Sequence, residues 1–391
     1  MPTLKTGADC CGCTACVAVC SRKAISMVPD SLGFMYPAVD ISKCVECRLC
    51  EKVCAFRADY SSPENFIEPI PYGVRLKEIE DVMKSRSGGA FVAFSDWVLD
   101  QRGVIYGAGY KGHFVVSHKR ATTRKGRDEF RGSKYVQSDL AGIFPQVKKD
   151  LSEDRWVLFS GTPCQVSGLL SYLPDKLKER LVAVDIVCHG VPSPRIWQDY
   201  LQYIEKREKK IVIGVDFRNK RDYGWKAHKE TFVLVEPLTT TTTTTTYTYV
   251  FYQHIMQRPS CGKCHYCNLR RPGDLTLADF WGWERTGSHI NDDDKGLSLV
   301  LVNTPKGKMI FDNVIDRFHL ISPTLEQCMQ SHLKAPTPPN AHDQQFQKDY
   351  EKYGFEYILK KYGNVGWRYR LKSAPQRLCR MLRKIAKRIL K

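Results

Sequence analysis

The 391-residue sequence predicts a small α+β domain at the N-terminus, followed by an α/β domain with a largely parallel sheet. Three observations lead there. Two dense cysteine repeats occupy residues 10–20 and 44–54, with short apolar stretches between them. Beyond residue 76, short apolar runs alternate with helical periodicities, the pattern of strands joined through crossover helices. The chain is also long enough for two or three domains with a real core.

The first repeat reads CCGCTACVAVC, so Cys10, Cys13, Cys16 and Cys20 fit C-x2-C-x2-C-x3-C. The second reads CVECRLCEKVC, and Cys44, Cys47, Cys50 and Cys54 fit it again. This is the spacing of two-cluster bacterial ferredoxins. Three thiolates from one loop grip three irons of a 4Fe-4S cubane, and the fourth cysteine begins a helical turn aimed at the other cluster. Ligation is therefore expected to cross over: Cys10, Cys13, Cys16 and Cys54 for one cluster, Cys44, Cys47, Cys50 and Cys20 for the other. Ser21 and Ala55 stand where a proline usually follows the fourth cysteine, and Cys11 is a surplus thiol. Zinc knuckles use two pairs of ligands and have no reason for the three-residue gap. AISMVPD and FMYPAVD read as short strands, which completes a ferredoxin-like α+β domain over residues 1–57.

Composition narrows the class. Sixteen cysteines sit in a chain whose start, MPTLKTGADCCGC, lacks the apolar core of a signal peptide. Metal binding is expected over disulfides, in reducing cytoplasm. No stretch approaches the roughly 18 apolar residues of a membrane span. The net charge of +18 is concentrated after Glu356, where twelve Lys and Arg occur without an acidic residue. Subtracting those twelve leaves +6 for residues 1–356. With no aromatic–basic platform or reading helix, no nucleic-acid partner is expected.

SSPENFIEPIPYG, residues 61–73, is proline-rich and marks a linker, taken as 58–75. Ser87 in SRSGGAF is expected to cap a helix starting near Gly89 and ending at Gly103. GVIYGAGY and HFVVSHKRA read as strands, and residues 139–151 as a helix. WVLFSGTPCQVSGLLSYL reads as strand, sharp turn, helix; LVAVDIVCHG reads as strand, then loop. GAGYKG, residues 107–112, matches G-x-G-x-x-G. A dinucleotide fingerprint needs a helix next, and the strand-like HFVVSH follows instead, so it is rejected. The eight threonines at 239–246 are read as a tolerant surface loop in preference to a hairpin arm.

SCGKCHYC carries Cys261, Cys264 and Cys267. Cys164 in GTPC and Cys188 in VCHG each follow a predicted strand at its carboxyl end. If those strands are parallel neighbours, both thiols face the edge where open α/β sheets place ligands. SCGKC folding over that edge would bring Cys261 and Cys264, giving four thiolates for a third 4Fe-4S cluster. Spacing alone leaves open a zinc site of Cys261, Cys264, Cys267 and His265 or His289.

GTPC, CHGVPSP, SCGKC and DLTLADFWG, with SRSGGAF and RGSKYVQSD upstream, resemble the beta subunit family of coenzyme F-420 hydrogenase/dehydrogenase. The likeness covers residues 76–335, and an N-terminal ferredoxin fusion is typical of it. The resemblance implies FAD beside a 4Fe-4S cluster held by Cys164, Cys188, Cys261 and Cys264; Cys267 exceeds the usual pair. The family includes reducers of the deazaflavin coenzyme and ferredoxin-dependent reductases, and bacterial relatives occur with polysaccharide-synthesis genes. On this reading Ser87, Gly88 and Gly89 offer amides at a helix start to the FAD pyrophosphate. Lys134 adds charge near the flavin or its phosphates, and Gly161 and Thr162 approach the isoalloxazine. His189 and Asp279 are candidate proton or hydrogen-bond groups, though such residues are more often structural than catalytic, and no catalytic residue is assigned.

The function expected is an FAD-dependent iron–sulfur oxidoreductase, passing electrons from the two N-terminal clusters through a third to FAD and on to a substrate or coenzyme. The alternative is a non-catalytic electron-transfer subunit relaying electrons to a partner enzyme, linked to polysaccharide biosynthesis. A redox partner such as ferredoxin or another oxidoreductase subunit is implied. Residues 336–391 are expected as a basic helical tail. In RLCRMLRKIAKRILK, Leu378, Leu382, Ile385 and Ile389 share one helical face, which predicts weak peripheral contact with an anionic membrane surface.

Overall fold

Asp30 sets the first turn of the chain. Its carboxylate accepts from the Leu32 and Phe34 amides at 2.9 and 2.8 Å. The turn joins β1 (Ile25–Pro29) to β2 (Met35–Val39), antiparallel, with Ile25 opposite Val39. Each cysteine repeat carries a short helix, Ala15–Val19 in the first and Leu49–Lys52 in the second. The computed structural model describes residues 2–56, 64–235, 238–367, 369 and 371.

The further strands of the described residues are β3 (Ile70–Leu76), β4 (Val104–Lys111), β5 (Val115–Ala121), β6 (Val157–Gly161), β7 (Leu181–Ile186), β8 (Ile211–Asp216), β9 (Glu230–Val235), β10 (Thr240–Thr244), β11 (Leu275–Asp279), β12 (Ser298–Val302) and β13 (Phe318–Ile321). One sheet runs β13-β3-β12-β11-β7-β6-β4-β5. Its centre, β11, β7, β6 and β4, is parallel throughout, as the alternating pattern predicts. Antiparallel pairs flank it on both sides. VLFS and LVAVDI are apolar along most of their length because helices cover both faces of these strands. Helices Ala90–Asp100 and Pro305–Asp312 bring Val92, Phe94 and Phe311 to one face. Helices Ile143–Ser152 and Pro163–Tyr172 bring Phe144, Val147, Val166 and Leu169 to the other.

Several expectations change. Ser87 does not cap the following helix: its hydroxyl donates to the Leu297 carbonyl at 2.6 Å. Gly89, at φ +91°, occupies the N-cap position, a left-handed conformation that suits glycine. Residues 70–75, expected as linker, lie in β3 between β12 and β13; Pro71 is tolerated inside the strand because it pairs with Leu301 of β12 at the end that β13, opposite Gly73–Leu76, does not reach. The threonine run is β10, the edge of a separate antiparallel sheet with β9 and β8, with Thr240 opposite Leu234. Its β-branched side chains favour that pleated edge, and Thr243 hydrogen-bonds Thr231 across the pair at 3.0 Å. GAGYKG runs along β4 into the hairpin with β5, so no helix follows it. Within the expected tail, helix Asp343–Lys361 packs Phe346, Tyr350 and Ile358 into the core beside the smaller sheet. Residues 377–391 lie outside the described residues. Among the described residues no helix is long and apolar enough to cross a membrane.

Gly88 is wedged between strands. A Cβ there would lie 2.2 Å from the Val74 carbonyl oxygen and 2.7 Å from the Ser298 nitrogen. Both are backbone atoms of β3 and β12, so neither can rotate away. Gly88→Ala is expected to cost about 3 kcal/mol of stability. Anaerobic urea denaturation measures it; a loss below about 1 kcal/mol would show that the strands part easily.

Candidate metal centre and adjoining cavity

The two cysteine repeats share an uncommon backbone. Gly12 and Glu46, before the second cysteine of each, have φ +71° and +54°; Thr14 and Arg48, after it, have φ +66° and +56°. Left-handed non-glycine residues cost roughly 1 kcal/mol or more each. Placing them at matching positions gives both loops the same bend around the second cysteine. Cys16 is pushed up to about 12, first by burial, then by the nearness of Cys13, Cys10 and Cys54. Cys16 thus feels the two preceding cysteines of its own repeat and the last cysteine of the other. In the second repeat, burial raises the Cys50 thiol, and Cys47 beside it adds to the effect. Cys47 is exposed. The Ala24 amide donates to Cys20 Sγ at 3.3 Å, and the Gly12 amide to Cys10 Sγ at 3.4 Å.

β6 and β7 are parallel neighbours, with Gly161 opposite Asp185. Cys164 therefore opens the helix after β6 and Cys188 opens the loop after β7 at the same sheet edge. The turn Pro259–Lys263 carries Cys261 to that edge. Cys164, Cys188, Cys261 and Cys264 line one cavity of ≈ 30 Å³. Burial raises the Cys188 thiol well above its usual range, and Cys261, Cys164 and Cys264 raise it further. Cys261 is pushed up to about 12, again chiefly by burial. Deprotonated together, these thiols repel; a cationic metal centre among them removes that penalty.

Two further thiols touch the ring. Cys267 hydrogen-bonds Cys264 and holds it at about 7, while its own thiol is raised. Cys11 is buried between Cys13 and Cys164, hydrogen-bonded to both. The surplus cysteine of the first repeat thus joins the N-terminal site to the main-domain ring. His289 is turned to solvent beside Asp292 at 2.9 Å, and the His265 ring packs on Phe56 at 4.7 Å. Neither histidine lines the cavity. Behind the ring, Arg271 donates to the Asp185 carboxylate at 2.5 Å, with both side chains almost fully buried. Tyr266 donates to the Ala55 carbonyl and hydrogen-bonds Ser167 Oγ at 2.9 Å, so the N-terminal chain is held against the main domain.

A second cavity of ≈ 340 Å³ adjoins the first. Ser87, Gly89, Lys134, Gly161 and Thr162 line it; Gly88 lies behind the wall. Thr162, Cys188, His189, Gly190 and Val191 line both cavities. Lys134 donates to the Glu129 and Arg131 carbonyls at 2.7 and 3.0 Å, and burial lowers its ammonium to about 7. Sequence reasoning missed Arg86, His118, Arg218, Tyr252 and Trp281, which also line this cavity. Arg86 directly precedes SGG, a signal that was legible. Its Nη2 donates to the Trp225 carbonyl at 2.7 Å, and its Nε lies 3.5 Å from the Asp279 carboxylate. Among the described residues neither Nε nor Nη1 makes a hydrogen bond. Asp279 accepts from Arg218 Nη1 at 2.8 Å. His118 lies between Ser138 Oγ and the Ser160 carbonyl at 2.7 and 2.9 Å; burial lowers it to about 4, so it is neutral near pH 7. Arg218 and Tyr252 come from around the smaller sheet, and no local motif marks them.

Residues 154–326 match the family described as the C terminus of the coenzyme F420 hydrogenase/dehydrogenase beta subunit, and residues 9–58 match the 4Fe-4S dicluster domain. No curated protein matches the chain. Among solved structures, a chain of the F420-reducing NiFe hydrogenase complex from Methanosarcina barkeri is similar at 17% identity and a TM-score of 0.46, covering 77% of this chain and 93% of that one. The second match spans all eight cysteines of the paired repeats, and the first spans the four thiols of the ring. Residues 154–326 thus carry the C-terminal domain of the coenzyme F420 hydrogenase/dehydrogenase beta subunit and residues 9–58 a 4Fe-4S dicluster domain, which makes the chain an iron–sulfur electron-transfer protein of that type.

Proposed function

We propose that this chain is an FAD-dependent iron–sulfur oxidoreductase of the cytoplasm, taking electrons at residues 1–57 and delivering them within residues 76–335. The observation that carries the reading is the wall common to the two cavities, built of Thr162, Cys188, His189, Gly190 and Val191. One side of that wall presents thiols and the other presents cations. Bound there, a cluster supplies single-electron steps and a flavin combines them into two-electron chemistry.

The chain's own residues are suited to these tasks. Cys10, Cys13, Cys16 and Cys54 would hold one N-terminal cluster, and Cys20, Cys44, Cys47 and Cys50 the other. Cys164, Cys188, Cys261 and Cys264 would hold the third. The guanidinium donors of Arg86 that make no hydrogen bond, together with Lys134 and the amide of Gly89, would bind the anionic pyrophosphate. Gly161 and Thr162 lack bulk on the wall nearest the thiols and would let a planar ring approach. His118, neutral and hydrogen-bonded on both nitrogens, orients the Ser138 and Ser160 groups on the cavity floor.

Protein purified anaerobically should release FAD on denaturation. Arg86→Gln is expected to weaken FAD binding by about tenfold or more, since charge-assisted hydrogen bonds are worth roughly 1.5–3 kcal/mol. Fluorescence titration of released and rebound FAD reads this out. Protein that never takes up flavin would overturn the reading. The beta-subunit description of the family favours a second reading, a relay subunit feeding a partner enzyme, with ferredoxin or another oxidoreductase subunit as the redox partner. Turnover of a small substrate by the isolated chain would decide against it.

A further inference from the structure

We propose that Arg258 is a positioning residue that docks the Cys10 cluster site against the main-domain ring and raises its reduction potential above that of the Cys47 site. This rests on the iron–sulfur reading above.

Arg258 is 1% exposed. Its Nε donates to the Cys10 carbonyl at 2.7 Å, and its Nη2 donates to the Met35 carbonyl at 3.0 Å and lies 3.7 Å from Cys10 Sγ. Its Nη1 donates to Gln137 Oε1 at 2.9 Å, and Gln137 in turn donates to the Cys11 carbonyl at 3.0 Å. The guanidinium lies 4.3 Å from the Tyr36 ring centre. The backbone of Arg258 belongs to the ring: its amide donates to the Val191 carbonyl, and its carbonyl accepts from the Cys261 amide. Val191 also donates to Cys261 Sγ at 3.4 Å. One residue thus touches both thiol sites.

The first repeat is shaped to receive it. A Cβ on Gly12 would lie 2.8 Å from Arg258 Nη1. The glycine of CCGC therefore leaves the space the guanidinium fills, besides adopting φ +71°. Among the described residues no carboxylate pairs with Arg258. A buried cation without a counterion is costly. A cubane held by four thiolates is anionic, and one charge more so after reduction. It supplies the missing countercharge, and the nearby cation favours its reduced form. In the other site Cys47 is exposed, with Val45 and Leu49 exposed beside it, and charges there are screened by solvent and salt. The gradient draws electrons inward from the exposed site.

Anaerobic redox titration of the full-length protein, followed by electron paramagnetic resonance, tests this. Cys47→Ser identifies the outer cluster's signal by its loss. Arg258→Met is expected to lower the inner cluster's reduction equilibrium about tenfold, roughly 59 mV for one electron, and to leave the outer cluster unmoved. Arg258→Lys, which keeps the charge, should recover more than half of that shift. If Arg258→Met does not retain iron, Gln137→Glu replaces it: a carboxylate against the guanidinium should move the same potential downward. Unchanged potentials in the iron-replete variant, or equal shifts of both N-terminal clusters, would overturn the proposal. A wild-type protein without cluster signals would overturn the iron–sulfur reading instead, and this inference with it.

Discussion

Cys261→Ser in the full-length chain is expected to remove about four iron atoms and leave about eight, because two N-terminal clusters remain. Cys261 is the residue through which the ring is assembled. Its turn follows Arg258, its thiol accepts from the Val191 amide, and its charge raises Cys188. Serine keeps the volume and loses the soft thiolate, so the remaining thiols revert to a buried, protonated set. Cys267→Ser is the matched control. Cys267 acts as donor to Cys264, whose thiol is the more acidic of the two, so the control should retain all the iron. Iron analysis with sulfide determination reads both. Retained iron in Cys261→Ser, or iron lost from Cys267→Ser but kept in Cys264→Ser, would refute the ligand choice. Truncation at residue 60 is a poorer test, since Cys11 and Phe56 form part of the ring's own wall.

The second large effect concerns stability. Arg271→Met leaves the Asp185 carboxylate, fully buried, with the Gly273 amide at 2.9 Å as its one remaining donor among the described residues. Breaking one half of such a pair costs about 3–5 kcal/mol. The loss should reach further than the pair, because Arg271 also donates to the Tyr266 and Ile186 carbonyls, next to Cys267 and just before Cys188. Anaerobic denaturation by urea measures it. Asp185→Leu added to Arg271→Met should restore part of the loss, since no buried charge then remains unpaired. A single variant within about 1 kcal/mol of the wild type would mean that the pair contributes little.

The chemistry of the paired repeats was legible because it is local. Two- and three-residue gaps act through the backbone of a single loop, and the matching left-handed residues at 12 and 46, and at 14 and 48, are the same solution used twice. The sheet edge was legible for a similar reason. WVLFS and LVAVDI read as strands of a largely parallel sheet, and their pairing as parallel neighbours, on which the expectation was conditional, leaves GTPC and VCHG side by side. What lay beyond the sequence were contacts whose partners are far apart along the chain. Thr240–Thr244 became an edge strand because β9 offered a free backbone, which composition does not record. Ser87 bonds to Leu297, 210 residues away, in place of capping its own helix. Arg258 meets Cys10 across 248 residues, and only the packed structure joins the N-terminal thiols, through Cys11, to the main-domain ring. Spacing selects which metal a loop can hold. Burial and long-range packing decide which charges stand beside it, because a guanidinium acts strongly on a thiol only when the fold removes the water between them.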